Sequence, residues 1–182
     1  MRLFATILLF FLISFVYHLL RPIKISVVVS QAHSNAEIIP FLKVWGILPG
    51  AVIFTFLYTF FSKRLHREQV FYVMVSIFLL FYLVFVTCLF PYRETLEMTS
   101  IANYLEKALP AGGAGFSAML RYWHYTLFYM FSELWGTVVL SMLFWGFINE
   151  TTSLESAKHQ YGFFTFGANV ATILSGQVGL YL

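Results

Sequence analysis

Aspartate is missing from this chain altogether, cysteine occurs once, and all charged residues together make up only 10% of 182 positions. Each shortage excludes something. A single thiol, Cys88, builds neither a disulfide framework nor a thiolate metal site, and its place in the apolar run 81–90 predicts a small packed hydrophobe. Without aspartate, and with His18, His33, His66, His124 and His159 scattered over helices and loops, there is neither a Ser-His-Asp arrangement nor metal-ligand spacing. The segment Ala111-Gly112-Gly113-Ala114-Gly115-Phe116 is rich in glycine but has no Lys-Ser or Lys-Thr pair and no strand before it, so it is not a P-loop. ATP hydrolysis is therefore not the engine of this protein, and no cofactor is expected. A net charge of +3, diluted by 22 Phe, likewise offers no surface for nucleic acid.

What the chain has in excess is apolar surface. It is 60% apolar and 20% aromatic, whereas a soluble domain is about 45–50% apolar and about 25% charged. The fold class is therefore all-α, a polytopic transmembrane helical bundle. A hydrocarbon core about 30 Å thick needs about 20 apolar residues at about 1.5 Å of rise each. Five runs meet or approach that length, predicting helices over about 3–30, 38–61, 70–90, 119–148 and 161–182. The first is interrupted by Arg21-Pro22-Ile23-Lys24, and Tyr17-His18-Leu19-Leu20-Arg21 offers no cleavage site for a secretory signal. The fifth is still apolar at Leu182, which reads as a fragment of something longer.

Loop charge orients the bundle. Arg2, Lys63, Arg64, Arg67 and Lys158, five of the eleven Lys and Arg, fall on one side, which the positive-inside rule assigns to the cytoplasm together with the N-terminus. The opposite side carries Arg93 and Lys107. Within that outer loop Ile101, Tyr104, Leu105, Ala108 and Leu109 recur at helical spacing until Pro110 and Gly112-Gly113, predicting a membrane-surface helix over about 100–109.

The remaining four cations and one acid lie at or inside membrane runs. A charge at mid-bilayer costs about 2.5–3.5 kcal/mol even on a lenient scale, so each needs a partner, a watery cavity or a ligand. Glu133 lies about 21 Å along its helix and cannot snorkel. Ser132, Gly136 and Gly146 nearby permit close approach of another helix, so Glu133 is expected to face the bundle interior, either in a buried ion pair that holds two helices together or in a transport pathway. Lys43 falls in the first turn of a helix predicted to begin at Pro40, where the dipole opposes a cation by about 0.3–1 kcal/mol unless an anion compensates. That anion is either Glu37 or a bound polyanion. Arg21 and Lys24, three apart, share a face and suggest an anion site, the alternative being interfacial snorkelling. Arg121, near the start of the fourth run, snorkels or joins them. These charges favour a secondary transporter over an enzyme.

Several stretches resemble one family throughout. Tyr17-His18-Leu19-Leu20-Arg21-Pro22-Ile23-Lys24, Ala36-Glu37-Ile38-Ile39-Pro40-Phe41-Leu42-Lys43-Val44-Trp45, Ser132-Glu133-Leu134-Trp135-Gly136, Leu143-Phe144-Trp145-Gly146-Phe147, Glu155-Ser156-Ala157-Lys158 and Phe166-Gly167-Ala168-Asn169-Val170-Ala171 are similar to the ATP:ADP antiporters of chlamydiae, rickettsiae and plastids. The resemblance implies the N-terminal five helices of a twelve-helix, major-facilitator-like transporter, in which helices one and four are equivalents lining the cavity. It implies that Lys43 and Glu133 are transport-critical and that Asn169 contacts nucleotide, the alternative for Asn169 being a helix–helix hydrogen bond; Arg21, Lys24 and Arg121 are expected to add phosphate contacts. Trp45, Trp135 or Tyr17 would stack on the base or simply pack. The expected partners are ATP and ADP, the lipid bilayer and the missing C-terminal helices, with host ATP exchanged for ADP across the bacterial inner membrane by alternating access. A proton-coupled nucleotide importer or a carrier of NAD or other nucleotides is the alternative within the family, and a membrane-embedded enzyme or structural protein the more distant one. Where relatives commonly have an acid after the helix-one lysine this chain has Ile25, so Lys24 lacks a neighbouring counter-charge in sequence. Residues 147–152 and 159–161 also depart from the pattern, which bears on substrate choice.

Overall fold

In hydrocarbon every backbone N–H and C=O must be satisfied within the segment that carries it, and a helix does this unaided. The computed structural model describes residues 2–31, 37–110, 113–151 and 154–180, and among them there is no strand. Helix α1 (Arg2–Ser26) continues as π-helical turns over Val27–Gln31. Next, α2 (Ile38–Phe41), a π-helical stretch Leu42–Ile47 and α3 (Leu48–Ser62) form one uninterrupted run. Helix α4 (Arg67–Val84) passes into π-helical Phe85–Leu89. Helices α5 (Thr99–Ala108) and α6 (Ala114–Arg121) precede α7 (Trp123–Leu134), π-helical Trp135–Phe144, α8 (Trp145–Thr151) and α9 (Leu154–Gly179). Four runs are long and apolar enough to cross a membrane: Phe4–Ser30, Ile38–Ser62, Arg67–Leu89 and Trp123–Asn149. The chain is thus a multi-pass membrane protein. The 161–182 run lies largely on α9, whose 26 residues are interrupted by Gly162, Gly167, Asn169, Gly176 and Gln177; it is not among those four.

Local sequence accounts for several of these boundaries. Pro49 brings no N–H and its ring presses on the carbonyl four residues back, so the ladder ahead of it loosens into the π-helical stretch Leu42–Ile47. The long π-helical segment Trp135–Phe144 is helped by Ser141, whose hydroxyl donates to the Gly136 carbonyl at 3.1 Å. At the start of α4 the His66 N–H donates to the Gln69 side-chain oxygen at 3.1 Å, satisfying one otherwise orphaned group. The second helix begins at Ile38, not at Pro40, because a proline anywhere in the first turn removes an N–H that has no acceptor there. Lys43 consequently sits past the first turn.

The chain divides into two compact units, residues 1–23 with 135–182 and residues 24–134. In the first, Phe10 packs at a tilt against Phe144 at 4.6 Å and Phe164 at 5.4 Å between ring centres. Trp145 closes the cluster against Phe10 and Phe144, both at 5.6 Å. Trp135 Nε1 donates to the Ile13 carbonyl at 3.1 Å. Gly136 lies under the Tyr17 ring, so close that a Cβ there would sit 2.5 Å from Tyr17 Cε2. Gly146, expected to admit a neighbouring helix as well, has nothing within 4 Å of where its Cβ would be.

The second unit is built around an aromatic stack. Phe81 lies flat on Phe131 at 3.8 Å, Phe85 on Phe128 at 4.5 Å, and Phe54 on Phe78 at 4.9 Å. Cys88, expected to be packed, is instead exposed on the π-helical turn that ends the α4 run. In a membrane span an outward apolar position meets lipid, so burial in protein is not required of it.

The two glycines of the first unit separate space from composition. Gly136→Ala is expected to lower stability by about 1–3 kcal/mol through overpacking against Tyr17. Gly146→Ala has room and gains about 0.5–1 kcal/mol from reduced backbone freedom. Thermal unfolding of the detergent-purified variants measures both; equal shifts would contradict the packing described.

Candidate functional site

The charges that are expensive in a membrane define the site. Lys24 stands in the last turn of α1 and is only 5% exposed. Its Nζ donates to Glu133 Oε2, forming an ion pair whose members lie 109 residues apart in sequence. The same ammonium lies over the Tyr129 ring, 5.5 Å from its centre, a cation–π contact from one turn before Glu133. The two side chains are unequally open: Lys24 retains 7% of its side-chain exposure, Glu133 34%. Lys24 therefore has a counter-charge, supplied by another helix where its own neighbour Ile25 could not supply one. Each member also adjoins irregular helix, Lys24 shortly before Val27–Gln31 and Glu133 shortly before Trp135–Phe144. π-helical turns of this kind frequently mark functional positions, because they aim side chains that a regular ladder would not.

Lys43 lies within the π-helical stretch Leu42–Ile47 and is exposed. Among the described residues it makes no ion pair, with Glu37 or with any other carboxylate. Its helix is held against α7 by two glycines four apart: a Cβ on Gly46 would lie 3.0 Å from Met130 Cγ, and one on Gly50 would lie 2.9 Å from Leu134 Cδ1. This Gly46-Ile47-Leu48-Pro49-Gly50 spacing is the small-residue signature of close helix approach, and it brings the element carrying Lys43 against the one carrying Glu133. The motif is plain in the sequence yet absent from the residues singled out above.

Other expected residues are placed differently. Arg121, at the end of α6, donates through Nη2 to Asn103 Oδ1 at 2.9 Å and to Glu106 Oε1 at 2.7 Å. Ser117 Oγ donates to the same Glu106 oxygen at 3.3 Å. The polar side of α5 is thereby engaged by α6, while Ile101 and Tyr104 stay exposed on the other side. Arg21 is exposed on α1 and Asn169 is exposed on α9, both in the first unit. Trp135 is buried and its indole N–H is spent on Ile13, so it packs and does not present a face for a base. Tyr17 is committed to Gly136. Trp45 remains exposed, edge-on to Phe116 at 6.0 Å. His124, passed over in sequence as one scattered histidine, is fully buried at the start of α7 with neither ring nitrogen hydrogen-bonded among the described residues.

The profile of the TLC ATP/ADP transporter family matches residues 1–182. The chain is similar to "ADP,ATP carrier protein 1" of Chlamydia muridarum, with 46% identity over 93% of this chain and 32% of that protein. It is 45% identical to "ADP,ATP carrier protein 2" of Chlamydia trachomatis over 96% of this chain and 33% of that one. The "Plastidic ATP/ADP-transporter" of Solanum tuberosum is 43% identical over 95% of this chain and 27% of its own length. The chain thus spans about a third of the length of the curated chlamydial carriers it matches. No solved structure matches it.

The Lys24–Glu133 pair is testable by a double-mutant cycle. Removing both charges by Lys24→Met with Glu133→Leu should recover most of what either single change loses. Each single change should cost on the order of 2 kcal/mol, below the about 3–5 kcal/mol of a fully buried pair, since Glu133 stays partly open. Additive losses in thermal unfolding would show that the two residues do not interact.

Proposed function

The chain belongs to the TLC ATP/ADP transporter family, and on that footing we propose that it forms the N-terminal helices of a secondary active carrier that exchanges ATP for ADP. The observation that carries this reading is a lysine, Lys24, enclosed inside a membrane span and paired with a more accessible carboxylate. No lipid-facing packing role needs a cation there, whereas a polyphosphate does. Lys43 adds an exposed ammonium that pairs with no carboxylate among the described residues, on the helix packed against α7. Lys24 and Lys43 bind phosphate oxygens, and the low dielectric of a cavity in the membrane strengthens each contact relative to water. Arg21 and Asn169 are assigned to substrate on their sequence motifs, as phosphate and base contacts. Arg121, bound to Asn103 and Glu106, serves chiefly to hold α5 on α6.

The names of the chlamydial and plastid relatives supply the substrates. The positive-inside distribution supports an orientation with a cytoplasmic N-terminus, and the bacterial inner membrane is the bilayer we assign to it. Alternating access, as in major-facilitator-like carriers, moves ATP inward and ADP outward without hydrolysis. A tetra-anion exchanged for a tri-anion carries one net negative charge, so the flux responds to membrane potential.

Cells expressing the protein at full length should take up labelled ATP against internal ADP. Lys43→Ala should lower that uptake about tenfold or more, since a charge-assisted hydrogen bond is worth about 1.5–3 kcal/mol. Absence of ATP and ADP uptake by the unaltered protein overturns the reading, and unchanged uptake by the variant removes Lys43 from it.

A further inference from the structure

We propose that Glu133 is a displaceable stand-in for a phosphate oxygen: in the empty protein its carboxylate occupies the position on Lys24 that the nucleotide's phosphate takes when substrate is bound. The inference rests on the nucleotide-carrier reading and deepens it by giving the acid of the site a role opposed to binding. Three observations converge on it.

The first is the asymmetry of the pair. Lys24 is the enclosed member, at 7% side-chain exposure, with its ammonium set over Tyr129; Glu133 is the open member, at 34%. An incoming anion therefore meets the carboxylate side of the pair first, and the group that can move aside is Glu133. The second is chemical equivalence. A carboxylate oxygen and a phosphate oxygen are both anionic acceptors for an ammonium, and a lysine acts towards either as a point charge. The third is the placement of Glu133 at the end of α7, next to the π-helical Trp135–Phe144, where the regular ladder is already relaxed. No other carboxylate pairs with Lys24 among the described residues.

The consequence is a site whose cation is neutralised in both states, by Glu133 when empty and by substrate when loaded. Binding energy is reduced by the cost of displacing Glu133, and release is assisted because Glu133 returns to Lys24 as the phosphate leaves. Glu133 is thus a positioning residue that trades affinity for turnover, acting through Lys24.

The test uses the full-length protein in detergent for equilibrium binding of labelled ADP and in proteoliposomes for ADP/ATP exchange. Glu133→Gln should tighten ADP binding by up to about fivefold, the scale of a partly exposed ion pair, while maximal exchange falls and apparent KM falls with it. In a Lys24→Met background the same change should no longer tighten binding, because the contested partner is gone. Glu133→Asp keeps the charge but shortens the reach by one methylene; it should tighten binding in the same direction by less, and it reads the idea if the Gln variant does not fold. Weaker or unaltered ADP binding in both Glu133 variants overturns the proposal, as does equal tightening with and without Lys24, which would indicate a general field effect. Failure of the unaltered protein to bind ADP at all overturns the carrier reading itself, a distinguishable result.

Discussion

A lysine side chain shut away from water and paired with a carboxylate far off in sequence sets the terms for everything around it. Lys24 has one enclosed ammonium, and hydrocarbon offers it nothing, so a carboxylate has to come from elsewhere in the fold and an aromatic face has to lie beneath it. Glu133 and Tyr129 meet both demands from α7. That obligation fixes α7 relative to the end of α1 within the second unit, and the aromatic stack of Phe81, Phe85, Phe128 and Phe131 fills the space that results. Van der Waals packing, not exclusion of water, holds such rings together in lipid, so their close stacking is the cohesive element.

The fold class was legible because a membrane protein writes its spans as length: uncharged runs of roughly 20 residues have few other uses. Which face of each span points inward was not legible. In a soluble helix polarity marks the outside, whereas here both faces are apolar, and Cys88 could be assigned to the core when it lies outside it. Lys24, Glu133 and Lys43 stood out singly because each is costly where it sits. Their pairing did not, since the partners are 109 residues apart and only near neighbours such as Ile25 and Glu37 can be inspected along a sequence. The start of the second helix was misplaced by two residues for a related reason: Pro40 is tolerated throughout the first turn, so its presence marks a turn and not a position. Arg121 illustrates the reverse case, a charge that resembled a free cation until α5 supplied Asn103 and Glu106.

Family membership and geometry inform different parts of the reading. The relatives' names say what those carriers transport; the geometry supplies an ordering among the charged groups, with Lys24 enclosed and paired, Lys43 open and unpaired among the described residues, and Arg121 held by α5. Positions that look equivalent by composition are thereby given unequal roles.

The glycine pair of the second span has a mechanical side. Gly46 and Gly50 present bare backbone to the tips of Met130 and Leu134, and of these Met130 is unbranched and pliable. The two glycines leave a shallow groove in their helix, and the Met130 and Leu134 side chains fill it. Any side chain larger than hydrogen at either position would act as a wedge, prising the span that carries Lys43 away from the one that carries Glu133.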